Sequence, residues 1–505
     1  MKKQAKGIIA LSALLAAMLG GGYAFMKFLP DEDGNNSGST QPSLIATEAE
    51  GQGTVLVSDG SENAVVKSVR VKNNDGELNV IMKEAPKDDG TAAVYTIEGY
   101  EDLNVDTSMI STLVNNANGM QAESLIAGGS SELGKYGLDK PSAEVEMNFE
   151  SGKTVKFYIG DELPSGSSNY VRVDGSNDVY AVSSSTLANY SKTVKDFISK
   201  TILEKPDDEN YPIINSLKIE RGDIDYDILL EYDKDSEKAH SGGTSASHKM
   251  IQPIESYLAI ENSTDITNGM FGLSASDIHV LKCTEEDIAD AGLKEPFCKV
   301  TMDCDNGSKY VLLLGEIFTD DSGSKCSYAM LDGGKVIYTV SPDNAKWLTV
   351  QPIDIASRLM ITSYVWNITE LSVSGGGESA EFVIQPKDPD NIPDNPTADD
   401  NLVHMRGEEF DSERYRQFYS FLTGTNAEEF ALGKPVPSGE PMATIKYTDS
   451  FSGKTMTYEF YDDSVMRALI VVNGESKYYC TKSYVNTLIE NIKRIGTGED
   501  YIKNW

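Results

Sequence analysis

The chain carries four histidines, five cysteines and a large excess of carboxylates, and the spacing within each set decides what chemistry it could support. His240 and His248 stand eight apart in a polar, Gly/Ser-bearing stretch over residues 233–248 that reads as a surface loop; a zinc site there needs a third ligand that the stretch does not supply. His279, between Ile278 and Val280, reads as a satisfied residue on a strand, and His404 stands apart from the others. Cys283, Cys298, Cys304, Cys326 and Cys480 form neither a CxxC pair nor a zinc-ligand spacing. Cys298 and Cys304 share one face of a predicted strand with Val300 and Met302, where a thiol serves as small apolar filler, although an export compartment would also permit a disulfide.

No G-x-S-x-G elbow, H-E-x-x-H, phosphate-binding G-x-x-x-x-G-K-[ST] or dinucleotide-binding G-x-G-x-x-G occurs, so nucleophile, metal and phosphate chemistry each lack their usual mark. Carboxylates are so numerous that an acid/base pair could be drawn anywhere, and the separation a glycosidase needs is not written in a sequence. The acidic run over residues 388–400, DPDNIPDNPTADD, could gather calcium loosely. It lacks the glycine and closing glutamate of an EF-hand loop, which favours a solvated linker. Tyr170, Tyr180, Tyr328, Tyr338 and Tyr479 recur at matching places and could offer a sugar-binding face, but tyrosine on a half-buried strand usually packs. The sequence therefore assigns no catalytic, cofactor-binding or metal residue, implies no cofactor and leaves any ligand-binding residues unknown.

The elements behind these residues are repeated. Residues 137–160, GLDKPSAEVEMNFESGKTVKFYIG, return at 292–315 as GLKEPFCKVTMDCDNGSKYVLLLG, without a gap, and seven positions are identical: Gly137, Leu138, Pro141, Val145, Met147, Gly152 and Gly160. Turn residues and one apolar face persist, so the repeat preserves a shape. A hairpin follows each copy, with Tyr170, Asp174, Gly175, Tyr180, Val182 and Ser183 answering Tyr328, Asp332, Gly333, Tyr338, Val340 and Ser341. Ser183 and Ser341 read as caps of closing helices that end near Leu203 and Ile361.

Each unit opens on its own hairpin. Val69 and Val71 turn at Asn74-Asp75-Gly76 into Leu78, Val80 and Met82; Leu217 and Ile219 turn at Arg221-Gly222 into Tyr226, Ile228 and Leu230; Leu371 and Val373 turn at Gly375-Gly376-Gly377 into Phe382 and Ile384. Asp106 and Asp411 each precede a helical apolar stripe. In the third unit Pro441 precedes alternating Ala443, Ile445 and Tyr447, and Asn473-Gly474 stands where the first unit has Asp174-Gly175. The expected fold class is α+β: three tandem repeated domains, at 54–206, 207–362 and a diverged 363–505, each a mainly antiparallel sheet with packed helices.

Lys and Arg total 44 against 79 Asp and Glu, a net charge of −35, which repels phosphate backbones and argues against nucleic acid as a partner. Residues 7–26 are uncharged, long enough for about 30 Å of helix, and follow Lys2, Lys3 and Lys6. Residues 1–29 therefore read as a cytoplasmic tip and transmembrane signal-anchor helix, with residues 30–53 a flexible acidic linker and the remainder outside the cell membrane. A cleaved signal peptide is the competing reading, with Gly22-Tyr23-Ala24 at the cleavage position; the stretch holds no cysteine for lipidation.

Tyr136-Gly137-Leu138-Asp139 with Pro141, the strand pair ending Tyr158-Ile159-Gly160, then Tyr170-Val171-Arg172 and Val179-Tyr180, resemble the family of domains of unknown function 4340. The first unit matches best, the second keeps Gly292-Leu293 and Pro296, and the third has no Gly-Leu pair before Pro441. The resemblance implies a membrane-anchored bacterial accessory protein found beside ABC-type transport components, with membrane-protein partners and no catalytic residues to carry over. The expected function is that of a non-enzymatic scaffold outside the membrane. The alternative is an exported protein that recognises a cell-wall glycan or peptide in a groove between units, and a hydrolase stands third.

Overall fold

The computed structural model describes residues 53–61, 64–87, 89–234, 245–393 and 397–505. The expected transmembrane helix lies outside the described residues, among which no helix is long and apolar enough to cross a membrane. Three sheets make up the bulk of what is described, and every strand pairing in them is antiparallel.

The first sheet consists of β1 (Val66–Asn73), β2 (Gly76–Glu84), β3 (Val94–Ile97), β4 (Ser124–Ala127), β5 (Ala143–Phe149), β6 (Thr154–Glu162), β7 (Ser168–Val173) and β8 (Val179–Ser183). The second holds β9 (Ile214–Arg221), β10 (Ile228–Tyr232), β11 (Ser245–Gln252), β12 (Ser256–Ala259), β13 (Asp277–Leu281), β14 (Cys298–Cys304), β15 (Lys309–Leu314), β16 (Phe318–Thr319), β17 (Lys325–Leu331) and β18 (Val336–Val340). The third holds β19 (Ile368–Gly375), β20 (Glu378–Pro386), β21 (Asn401–Met405), β22 (Glu408–Glu409), β23 (Glu429–Phe430), β24 (Ala443–Asp449), β25 (Lys454–Asp462), β26 (Arg467–Val472) and β27 (Glu475–Thr481).

Eight strands follow the same path in all three, and the second and third sheets add one edge strand, β12 and β22. The order β3-β2-β1-β5-β6-β7-β8-β4 returns as β12-β11-β10-β9-β14-β15-β17-β18-β13 and as β22-β21-β20-β19-β24-β25-β26-β27-β23. Pro141, Pro296 and Pro441 each precede by two residues the strand that pairs with the opening strand of its sheet, namely β5, β14 and β24. A register shift falls at one place in each of those pairings, next to Val66, Ile214 and Ile368, where the sheet bends around its core. The central strands alternate as period 2 requires: Val145 and Met147, Val300 and Met302, and Ile445 and Tyr447 are buried between more exposed neighbours.

The repeated glycines have identifiable causes. Gly137 and Gly292 have φ of 64° and 68°, and the leucine after each donates its backbone N–H five residues back, Leu138 to Leu133 O at 3.1 Å and Leu293 to Ile288 O at 2.9 Å. That is a helix-ending motif in which glycine takes the left-handed position and the next side chain packs inward; Leu138 and Leu293 are buried. Gly160 lies so close to the Tyr136 carbonyl that a Cβ would come within 2.1 Å of it, and at Gly315 the distance to the Ala291 carbonyl would be 2.9 Å. The third sheet, which lacks the Gly-Leu pair, has Tyr461 here instead, packed with Ala431, Leu469, Val471 and Tyr479.

The helices differ from the expectation. Thr107–Ala117 and Ser412–Leu422 form as the stripes predict, and the Asp106 and Asp411 carboxylates accept from the first free N–H groups at 2.8–3.0 Å. The closing helices expected after Ser183 and Ser341 do not: Ser184–Leu187, Pro352–Ile355 and short 3-10 turns occupy those stretches, and only the third unit closes on a full helix, Lys482–Ile495. Ser183 caps nothing, its hydroxyl meeting Ser185 instead. The reason is where the chain goes next, because after the first and second sheets it must straighten into a connection to the following one.

Those connections share one backbone pattern. In the first, Thr201 bridges Ser274, Ile202 N donates to Leu273 O at 2.8 Å and Ala275 N to Lys200 O at 2.8 Å. In the second, Leu359 bridges Asn426, Met360 N donates to Thr425 O at 3.1 Å and Ala427 N to Arg358 O at 2.8 Å. The same connections also pair backward, through Val105 with Ile198 and Leu258 with Ala356.

Gly152, at φ 84° with open space around it, and Gly160 separate two causes of glycine use. Gly152→Ala is expected to lose roughly 1–2 kcal/mol, the cost of a left-handed residue. Gly160→Ala, which must move backbone, is expected to reach or exceed the roughly 1–3 kcal/mol of overpacking. Urea unfolding of the two variants checks the order; equal losses would mean that the Tyr136 carbonyl does not constrain the site.

Candidate functional site

Polar side chains gather between the second and third sheets at the second connection, in a cleft of about 260 Å³. Three separate segments form it. Lys249, Glu255, Ser256 and Tyr257 come from β11, β12 and the turn between them; Ser357, Leu359, Met360, Thr362 and Ser363 come from the connection; Tyr447, Asp449, Lys454, Tyr458, Asn473, Lys477 and Tyr478 come from the third sheet.

Its floor is aromatic and internally bonded. The Tyr447 and Tyr458 rings stack with centroids 6.1 Å apart, because β24 and β25 bring them to neighbouring positions on one face. Tyr458 of the third sheet donates its hydroxyl to Met360 O at 2.6 Å, and Tyr419 of the helix Ser412–Leu422 donates to Ser363 O at 2.8 Å, so the sheet and its helix together fix the connection. Asp449 is buried, yet both oxygens are engaged: Oδ2 accepts from the Ser363 hydroxyl at 2.6 Å, and Oδ1 accepts from Phe451 N at 2.8 Å and Ser452 N at 3.4 Å. Burial pushes the Tyr447, Tyr458 and Tyr478 hydroxyls above the ordinary phenol range, and hydrogen bonds to Ser363 and Ser256 partly offset this at Tyr447 and Tyr478. They remain neutral groups at physiological pH. The rim is cationic: Lys249 meets Glu255 at 3.4 Å, Lys477 meets Glu475 at 3.6 Å, and Lys454 makes no ion pair among the described residues.

The residues singled out in the sequence are scattered. His240 lies outside the described residues. His248 is not in a loop: residues 245–248 already belong to β11, and the ring is buried. Its Nε2 sits 2.7 Å from Ile214 O, so it carries the proton and donates, leaving Nδ1 to accept from Ser247 Oγ at 3.0 Å. This assigns a structural role to the neutral ring. His279 is exposed and stacks on Tyr328 at 4.2 Å, and His404 lies on β21 opposite Val383 and Glu409. All five cysteines are free thiols, with Cys298 and Cys304 in the second core as the spacing implies; burial pushes the Cys298 thiol up to about 12. Among the described residues no three His, Cys, Asp or Glu side chains gather as metal ligands, and in the acidic run residues 394–396 lie outside the described set.

The recurring tyrosines do not form one face. Tyr170 packs on Tyr136, and Tyr338 lies between the first and second cores, its hydroxyl pushed up to about 12 by burial. Tyr479 lies under the Arg467 guanidinium at 4.0 Å. Strand register also corrects the correspondence: Leu125 pairs Tyr180, Ile278 pairs Tyr338 and Phe430 pairs Tyr478, so Tyr478 and not Tyr479 is the third counterpart.

With this geometry in hand, a comparison with known families is decisive for part of the chain. Residues 96–296 match the family described as Domain of unknown function (DUF4340). The resemblance read from the Gly-Leu and Pro141 motif is thus shown. The DUF4340 segment runs from the end of β3 through the rest of the first sheet and the first connection to Pro296, just ahead of β14; the cleft's third-sheet residues lie beyond it. No curated protein and no solved structure matches the chain.

The His248 ring supplies a pH test. Burial lowers its pKa below the ordinary 6.5 despite the bond to Ile214 O, so the unfolded chain takes up the proton first. Its contribution is present in full above about pH 6.5 and is lost as pH falls through the lower folded value. Urea unfolding between about pH 7 and 5 should show the transition reporting the second sheet weaken, and His248→Gln should flatten that slope. An unchanged slope in the variant would remove His248 as its source.

Proposed function

We propose that the chain is a membrane-anchored, non-enzymatic protein whose body lies outside the membrane and acts as an accessory or scaffold for an ABC-type transport complex. The observation that carries this reading is the repeated connection: the three sheets have a path, a bulge and a backbone joint in common. A protein that repeats its joints is suited to holding partners at a fixed spacing. In this reading residues 7–26 form the single anchor helix, with Lys2, Lys3 and Lys6 on the cytoplasmic side, and the segment to residue 53 is a spacer. The sheets are then copies of one domain at 54–206, 207–362 and 363–505, and the net charge of −35 keeps the body from anionic lipid headgroups.

A second reading, an exported protein that binds a cell-wall glycan or peptide between units, is favoured by the polar cleft at the second connection.

The two separate in cells. The scaffold reading expects the full-length chain to stay in membranes after alkaline carbonate washing, to be digested by protease added outside intact cells, and to crosslink to transporter subunits. A chain released from membranes and crosslinked to wall polymer would overturn it in favour of the second reading, and turnover of glycoside or peptide substrates by the purified chain would overturn both.

A further inference from the structure

We propose that the cleft at the second connection binds a small organic carboxylate, its anionic group held by Lys454 and Lys477 and its polar body lying along the connection. The inference rests on the second reading above and names the ligand class that reading lacks.

Charge is the first argument. Five charged side chains line the cleft, Lys249, Lys454 and Lys477 against Glu255 and Asp449, an excess of one positive charge in a chain whose net charge is −35. Asp449 is turned inward and spends both oxygens on Ser363 and the backbone of the turn after β24. Lys249 has Glu255. Lys477 has only Glu475 at 3.6 Å, a carboxylate left 75% exposed, and such a pair is weak in water. Lys454 has no ion pair among the described residues. Two ammonium groups without a firm counter-ion thus border a space floored by buried, neutral tyrosines, where a direct contact is less screened than on the open surface. The surrounding acidic surface gives no long-range attraction for anions, so recognition must come from contact within the cleft.

The remaining wall fixes the class. Ser357, Thr362 and Asn473 present hydroxyl and amide groups, and Leu359 and Met456 add apolar surface. No arginine fork lines the cleft, so a monoanion suits one net positive charge better than a phosphate dianion. At about 260 Å³ the space falls below the roughly 300–1,000 Å³ of drug-sized sites, which limits the occupant to a sugar acid, a dipeptide or the end of a longer chain.

Titration calorimetry on the full-length chain in detergent tests this with probes that differ by the carboxylate: N-acetylmuramic acid against its methyl ester, and N-acetyl-alanyl-alanine against its C-terminal amide. At least one acidic probe is expected to bind at least about tenfold more tightly than its neutral partner, and the arm in which this occurs tells sugar from peptide. Lys454→Met with Lys477→Met should remove that preference, whereas Lys446→Met, on β24 outside the cleft, should not. Acidic and neutral probes binding alike would overturn the carboxylate assignment and leave the second reading standing. An absence of binding by all four up to about 10 mM would overturn both, and a preference that survives the double substitution would overturn the proposal while leaving the second reading standing.

Discussion

The structure depends on a short length of backbone that each sheet receives at its edge. Residues 54–56, 200–202 and 358–360 have unlike side chains, yet each exchanges two main-chain hydrogen bonds with the segment before β4, β13 or β23. Thr54 O accepts from Ala122 N at 2.9 Å and Leu56 N donates to Met120 O at 2.7 Å, the same two bonds that Lys200 and Ile202, and then Arg358 and Met360, make with their partners. Backbone pairing asks little of side-chain identity, so it survives divergence that erases sequence likeness. What it does demand is close approach, and the partner residue is alanine each time: Ala122, Ala275 and Ala427, all buried. In the second and third sheets this strand is the tail of the preceding unit, so folding one unit positions the next.

This explains what could and could not be read from the chain. Turns and core faces are local, and the positions that recur in the sequence are the ones with a local cause: Gly137 ends a helical turn, Gly152 turns a hairpin at φ 84°, Val145 and Met147 face the core. The hairpin at Asn473-Gly474 was legible because both residues take positive φ, 50° and 85°, which that pair of residue types favours. The connections read as helices in the sequence because they carry helix-compatible residues whose conformation is set by a partner edge more than 60 positions away. His248 was placed in a loop for a similar reason, since its polar surroundings in sequence hide a strand whose hydrogen-bond partner, Ile214, lies 34 residues earlier.

The cleft was not legible at all. Tyr447 and Tyr458 show in the sequence only as alternating apolar positions, and that is what they are for the third core. Their second role arises because Met360 and Ser363, far away in the chain, arrive beside them, Met360 accepting from Tyr458 and Ser363 from Tyr419 of the helix Ser412–Leu422. Asp449 is one of 79 acids in the sequence, and only folding distinguishes it, by burying it against the Ser363 hydroxyl and the backbone of its own turn. Lys454 and Lys477 bear no mark except their place on β25 and β27, beside the cleft.

One difference between the two connections accounts for the cleft's position. At the first, β13 is five residues long, and Ile278 and Val336 extend the core of the sheet before it, while Leu281 and Tyr338 pack at its margin. Lys335 pairs with Asp102, Lys282 lies over the Tyr100 ring at 4.2 Å, and Lys195 donates to His279 O at 2.7 Å, so charged and polar contacts surround an apolar centre. At the second, β23 stops after Glu429 and Phe430. Phe430 and Tyr478 occupy the places of Ile278 and Tyr338, but no strand continues to supply counterparts of Val280 and Leu281, and β27 brings Lys477 to the junction. The strand there is three residues shorter than β13, and the space beside it is lined by polar, charged and apolar groups together. Open space borders both joints; at the second it is bounded by two sheets and their connection, and an occupant there would touch all three at once.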